Sequence, residues 1–270
     1  MSDKQHGKNV IILIEGKSER IAFELALPDL FDRIASDYQI HFATIFEDDI
    51  EKCGDITSKK GITPQTIEGC ICKLFIRKVL EETKIYVRDI SEVIHIIDLD
   101  GAYIPEDHIL KGINPNGENK PFYDSEKIIT DNVDAIIDRN KQKRNNIDKL
   151  LSFPDGKITV WQNPDNPASK QRKIPYSLYY FSSNLDHFIH NEANITSEYS
   201  KVHLAETFRN GFVDNTDGFT DYFINDPDSA GDKSYLQSWA NIQEAGLNSL
   251  RRHTNIDILL KRLIEEAKKQ

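Results

Sequence analysis

Residues 93–101, Val-Ile-His-Ile-Ile-Asp-Leu-Asp-Gly, constrain the fold of this 270-residue chain more than any other stretch. The run is short, rich in β-branched side chains and stopped by Gly101, which predicts a buried strand and not a helix. A strand of this kind belongs to an α/β sheet, where its C-terminal end faces the ligand crevice. Asp98 and Asp100 stand at that end with one residue between them. Two carboxylates so close repel each other unless a cation sits between them. Hard oxygen donors with room for water suit Mg²⁺ or Mn²⁺. An isolated Asp-x-Asp-Gly serves equally well as a turn and cap, so the metal reading needs another acid at the end of another such strand.

Residues 10–14, Val-Ile-Ile-Leu-Ile, supply it: this second apolar run ends in Glu15-Gly16-Lys17-Ser18-Glu19. Ser18 reads as an N-cap, and Ala22, Phe23, Leu25 and Ala26 give a helical face until Pro28 interrupts it. Glu15 is therefore expected in a strand-to-helix loop, near backbone donors and a positive dipole end. Gly16-Lys17-Ser18 is not an ATP-binding P-loop, because the glycine required five positions earlier is Ile11, inside the strand.

The rest of the chain alternates in the same way. A strand is expected at 40–46, a polar inserted loop at 47–64, and a helix at 67–82 with Ile71, Leu74, Phe75 and Val79 on one face. Residues 103–121 read as loop and 125–151 as helix. Residues 158–161 are expected as strand, 163–175 as polar loop and 178–181 as strand. Ser182-Ser183 is expected to cap a helix over 184–191. Residues 208–223 resist assignment. From 235 onward the pattern is helical, as two helices meeting near Thr254-Asn255. This alternation predicts a mostly parallel sheet flanked by helices.

Composition narrows the function classes. Formal net charge is −10, so binding to a polyanion requires local basic patches. Two clusters are present: Arg139, Lys141, Lys143, Arg144 and Lys149, then Lys170, Arg172 and Lys173. Lysines and arginines are usually solvated, so solvent-facing surface is the competing reading of both. Cys53, Cys70 and Cys72 form neither a disulfide framework nor a zinc pattern. No apolar run approaches the roughly 20 residues of a membrane span, and no secretory leader is read at the start. A cytoplasmic protein without a membrane partner is expected.

The ordered pair Leu13-Ile14-Glu15-Gly16 and Ile97-Asp98-Leu99-Asp100 resembles the Toprim domain, shared by topoisomerases, bacterial primases and a group of nucleases. The resemblance spans about residues 9–192. Within that group, Glu15-Gly16-Lys17-Ser18-Glu19 is similar to the first loop of OLD-type and RloB-type nucleases of phage defence. Ser183-Asn184-Leu185-Asp186-His187-Phe188 is similar to a late Ser-Asn-x-x-Phe-Glu segment of the RloB type, with Asp186 in the Glu place and a shorter spacing. The resemblance implies an α/β, Toprim-like, mostly parallel sheet with a helical insertion. The catalytic domain is expected over 1–192, with insertions at about 47–66 and 103–157, followed by a mainly helical region over 193–270.

The resemblance also implies metal-dependent cleavage of phosphodiester bonds in DNA or tRNA by an anti-phage effector. Asp98 and Asp100 would hold metal, Glu15 would bind metal or act as base, and Glu19 and Asp186 would complete a site for two Mg²⁺ or Mn²⁺ ions. His190, four residues after Asp186, is a candidate proton shuttle. Lys17 and Lys201 are candidates for the phosphate, and Lys143, Arg144, Lys170, Arg172 and Lys173 for the nucleic acid beyond it. No ATPase domain is read, so an ATPase sensor would be a separate chain; a homo-oligomer is compatible with all of this. Two other readings compete. One is a non-catalytic docking module on a Toprim-like frame. The other is a haloacid-dehalogenase-type phosphatase with Asp98 as nucleophile, although Ala102 stands where that family usually has Thr or Val.

Overall fold

The computed structural model describes residues 8–44, 46–47, 50–51, 54–163, 165–166, 168–244 and 246–270. Cys53 lies outside them. The chain begins with β1 (Lys8–Leu13), α1 (Lys17–Phe23), α2 (Ala26–Ile34) and β2 (Tyr38–Ala43). The short strands β3 (Phe46–Glu47) and β4 (Ile50–Glu51) pair with each other. A continuous helical rod follows, made of α3 (Ile67–Ile71), a π-helical turn (Cys72–Ile76) and α4 (Arg77–Thr83). Then come β5 (Ile90–Asp98) and a side sheet of β6 (Ile109–Lys111), β7 (Phe122–Tyr123) and β8 (Ile128–Thr130). The long α5 (Val133–Leu151) leads into β9 (Lys157–Trp161) and β10 (Gln171–Phe181). The chain closes with α6 (Leu185–His190), α7 (Glu198–Asn210), α8 (Thr216–Ile224), α9 (Tyr235–Glu244) and α10 (Ile256–Ala267).

The central sheet has the order β2-β1-β5-β10-β9. Strands β2, β1, β5 and β10 are mutually parallel, and β9 is an antiparallel edge on β10. The apolar runs dictate this placement, because only an interior strand buries side chains on both faces. Ile11, Leu13, Val93 and Ile97 enter a core shared with α3, the π-turn, α4 and α5, whereas Val10, Ile12, Ile14, Ile94 and Ile96 enter the opposite core with α2, α8 and α10. The molecule is therefore α/β, a mixed sheet covered by helices on both faces. Residues from α8 and α10, including Phe219, Phe223, Leu259 and Leu263, pack in the same core as β1. Among the described residues, no helix is long and apolar enough to cross a membrane.

Register brings the strand ends together. Leu13 lies opposite His95, and Phe181 lies opposite Asp98. The residues after β1, β5 and β10 thus emerge along one edge of the sheet.

Several local expectations change. Gly16, not Ser18, precedes the first helix, and Ser18 is buried inside it. The first helix ends before Pro28, which sits in the first turn of α2, where its missing donor costs nothing. Residues 128–130 form a strand, and Asn132 starts α5 by accepting a hydrogen bond from the Ala135 amide at 3.1 Å. Gln171–Phe181 is one long strand, so the expected loop ends before it. Asn184, not the serine pair, caps α6 by accepting from the His187 amide at 2.8 Å. The unassigned stretch resolves into the end of α7 and all of α8.

Candidate metal centre at the sheet edge

Glu15 and Asp98 meet because β1 and β5 are adjacent and end at the same level. The Glu15 carboxylate accepts a hydrogen bond from the Asp98 backbone amide at 2.9 Å, which ties the two strand ends together. Asp98 in turn accepts one from the Leu185 amide, at the start of α6, at 3.1 Å. The Glu15 carbonyl accepts from the Gly54 amide at 3.0 Å, so the loop before α3 closes over this edge. Glu15, Lys17, Glu19, Asp98, Glu198 and Lys201 line a cavity of about 210 Å³.

Among the described residues, neither central acid has a cation bonded to it. Burial, reinforced by Asp55, Asp98 and Asp100, holds the Glu15 carboxyl well above the usual range. Burial, reinforced by Glu19 and Asp100, does the same to Asp98. Glu19 is also raised, chiefly by burial and then by Asp186. Asp186 is 4% exposed, and burial pushes its carboxyl up to about 6 against the pull of Lys201, 3.7 Å away. One Asp186 oxygen, Oδ1, is buried without a hydrogen-bond partner. At Lys201 burial opposes the charge, but Asp186, Asp98 and Glu19 outweigh it and raise the pKa.

Asp100 does not share this environment. It follows Leu99 in a left-handed conformation, φ 50°, and Gly101 continues the turn at φ 70°. A Cβ on Gly101 would stand 2.6 Å from Leu250 Cδ2, so glycine is required both by the backbone and by the space. The turn sends Asp100 toward α5, where Lys143 donates to it at 2.7 Å. The same ammonium reaches Asp55 at 2.9 Å, and its side chain is completely buried. Arg139 donates to the Asp100 carbonyl at 2.8 Å and to the Tyr123 hydroxyl at 2.6 Å. Burial disfavours ionisation of Asp100, but Lys143 and Arg139 outweigh it, and its pKa is lowered. Of the two aspartates read from the sequence as one ligand pair, Asp100 is therefore bonded to Lys143, whereas Asp98 accepts from backbone only among the described residues.

The first basic cluster is largely structural. Lys143 is buried and cannot meet a nucleic acid in this fold, Arg144 donates to the Ala102 carbonyl at 2.6 Å, and Lys141 pairs with Glu106 at 3.2 Å. The second cluster lies at the other end of the sheet. Lys170, Arg172 and Lys173 are exposed near the start of β10, whose far end carries Phe181 beside Asp98. Nine residues of strand place Arg172 about 30 Å from that edge. Arg172 donates to the Arg88 and Ile90 carbonyls at 2.6 and 3.1 Å, and with Tyr86 and Arg88 it lines a separate cavity of about 500 Å³. His190 turns from the acids as well: its ring meets Phe208 edge-on at 6.5 Å, and burial lowers its pKa.

Sequence reasoning missed Asp55, Arg139 as a support and the true role of Lys143. Asp55 carries no spacing signal; it lies in a loop and accepts from the Thr57 amide and hydroxyl, both at 2.6 Å. Lys143 did carry one. Ile136, Asn140, Lys143, Ile147 and Leu150 recur at helical spacing, and all five are buried. A lysine in an apolar stripe requires a buried partner.

The donor set fits a hard divalent cation. Mg²⁺ is commonly held by one or two carboxylates and keeps several waters, which matches Glu15 and Asp98 in the cavity lining. Among the described residues, no group of three or more His, Cys, Asp or Glu side chains is placed to hold a metal ion, so the protein's share of the ligands rests on the two acids. In comparisons with family models, curated proteins and solved structures, the chain matches none.

Proposed function

We propose that this chain is a metal-dependent nuclease that hydrolyses phosphodiester bonds in DNA or RNA, of the Toprim kind that its two acidic strand ends resemble. One observation carries the reading: Glu15 and Asp98, half-buried and, among the described residues, without a bonded cation, are joined across the ends of two neighbouring parallel strands and face a cavity that also holds Lys17 and Lys201. Glu15 and Asp98 hold Mg²⁺ or Mn²⁺ there. Such an ion, when bound, polarises a phosphoryl oxygen and lowers the pKa of a coordinated water.

The remaining steps belong to the chain's own residues. Lys201 and Lys17 hold the phosphate against the acids. Asp186, pushed up to about 6, is matched to accepting a proton near neutral pH. Glu19, also in the cavity lining, adds negative charge beside Asp98. Action as a cytoplasmic anti-phage effector, restrained or triggered by a separate ATPase chain, rests on the resemblance to OLD-type and RloB-type proteins.

The test is cleavage of plasmid, single-stranded DNA and total tRNA with Mg²⁺, Mn²⁺ or EDTA, comparing the wild type with Glu15→Gln and Asp98→Asn. Cleavage that requires metal and is lost in both variants is expected. Cleavage that survives EDTA, or that both variants retain, overturns the proposal.

A further inference from the structure

The six acids at and around the ends of β1 and β5 do not share one electrostatic environment. Asp55 and Asp100 converge on Lys143, whose ammonium lies 2.9 and 2.7 Å from them in a completely buried position. Arg139 adds a second positive charge behind Asp100. Two cations thus offset two carboxylates. Glu15 and Asp98 feel the field of that group but are not bonded to its ammonium: Glu15 accepts from the backbone amide of Asp98, and Asp98 accepts from the Leu185 amide. Glu19 and Asp186 face Lys201. Among the described residues, Glu15 and Asp98 are then the pair at the cavity with no cation bonded to either, placed to take a single divalent ion between them.

We infer that the centre takes one divalent ion, held by Glu15 and Asp98, and that the Lys143 ammonium occupies the place between Asp55 and Asp100 where a second ion would otherwise bind. The inference rests on the reading of the cavity as a metal centre. The backbone supports it independently of charge. The left-handed Asp100 turns its carboxylate to α5, so it is not free to bridge two ions with Asp98. An ammonium tethered at a buried helix position cannot dissociate as a metal can. The Asp55–Asp100 site is then permanently filled, and only the Glu15–Asp98 site exchanges with solvent. Lys143 acts here as a positioning residue: it fixes the loop carrying Asp55 and the turn after β5 relative to each other, and it sets the number of ions.

The test counts Mn²⁺ ions bound per chain by electron paramagnetic resonance titration of the full chain at slightly alkaline pH. One ion is expected in the wild type. Asp98→Asn should weaken its binding at least about 100-fold, more than the loss of an outer partner alone, whereas Asp55→Asn should leave the count at one ion. Lys143→Met, where circular dichroism shows it folded, should bind two ions. Two ions in the wild type, or an ion lost with Asp55→Asn and kept with Asp98→Asn, overturns the inference while leaving a metal-dependent nuclease standing. No bound ion in the wild type overturns the metal centre itself. If Lys143→Met does not fold, the opposed outcomes of Asp55→Asn and Asp98→Asn decide the matter.

Discussion

Glu15 and Asp98 cost the protein stability in the absence of metal, and this gives a measurable sign. Their folded-state pKa values lie above the ordinary carboxyl value because burial and neighbouring acids disfavour the charge. The stabilising contribution of such groups is fully present below the unfolded-state value and is lost as pH rises through the raised folded one. Without metal, the melting temperature should therefore gain from these two groups as pH is lowered from 8 toward 5. At pH 8, Asp98→Asn and Glu15→Gln keep the acceptor oxygens used by the Leu185 and Asp98 amides while removing the charge. Each should stabilise the metal-free protein by about 1 kcal/mol, within the usual range for relieving a strained functional site, seen as a higher melting temperature. Mg²⁺ should raise the melting temperature of the wild type and leave the variants unmoved. A metal-free Asp98→Asn protein that melts below the wild type would contradict this account. The opposite sign holds at Lys143, where removing one partner of a buried ion pair costs about 3–5 kcal/mol. The contrast also explains what was legible. Acids at the ends of apolar strands announce themselves in sequence, and Glu15 and Asp98 meet as their strands require. The divergence of Asp100 depends on one left-handed residue and on the docking of α5, and neither is encoded within the Asp-x-Asp motif itself.

At the scale of elements, strands buried on both faces were the readable part, because β1 and β5 need no partner to reveal their continuous apolar runs. The misread segments owe their structure to neighbours. Gln171–Pro175 is polar but pairs with β9, and Ile128–Thr130 is strand because β6 and β7 flank it. Helix α8, unassigned in sequence, is held by aromatic contacts. Phe223 stacks on Phe188 at 5.4 Å with rings 5° from parallel, and it also packs on Phe23 at 6.0 Å. Phe188 belongs to α6, which carries Asp186 and donates the Leu185 amide to Asp98. Phe223→Ala should thus destabilise the fold by roughly 3–5 kcal/mol, read as a lower denaturant midpoint. Metal binding should persist in the folded fraction, because Glu15 and Asp98 are fixed by strands and not by α6. Loss of metal binding from a still-folded Phe223→Ala protein would show that α6, and not the sheet, sets the site.

For the whole molecule, a net charge of −10 must be reconciled with the polyanionic substrate proposed for it. The lysines lining the cavity are exposed Lys17 and half-buried Lys201, and Lys201 is shared with Asp186. The exposed basic residues on β10 are about 30 Å away along the strand, too far for a short substrate gripped at the acids. Each phosphate neutralised on duplex DNA contributes about −0.9 to the slope of log affinity against log salt. With a duplex of about two helical turns, long enough to span both places, and a non-cleaving Asp98→Asn protein, the slope should be about −2, and Lys17→Ala should reduce its magnitude by about 1. Substitution of Lys170, Arg172 and Lys173 should leave it unchanged. A slope near −4.5 that collapses on removing those three residues would mean that the substrate is bound along the sheet, from the far cavity to the acids. A shallow slope instead means that this chain grips a polynucleotide at few points. Affinity would then have to come from a partner chain or a second copy, which is the arrangement expected of an effector whose own surface repels its substrate.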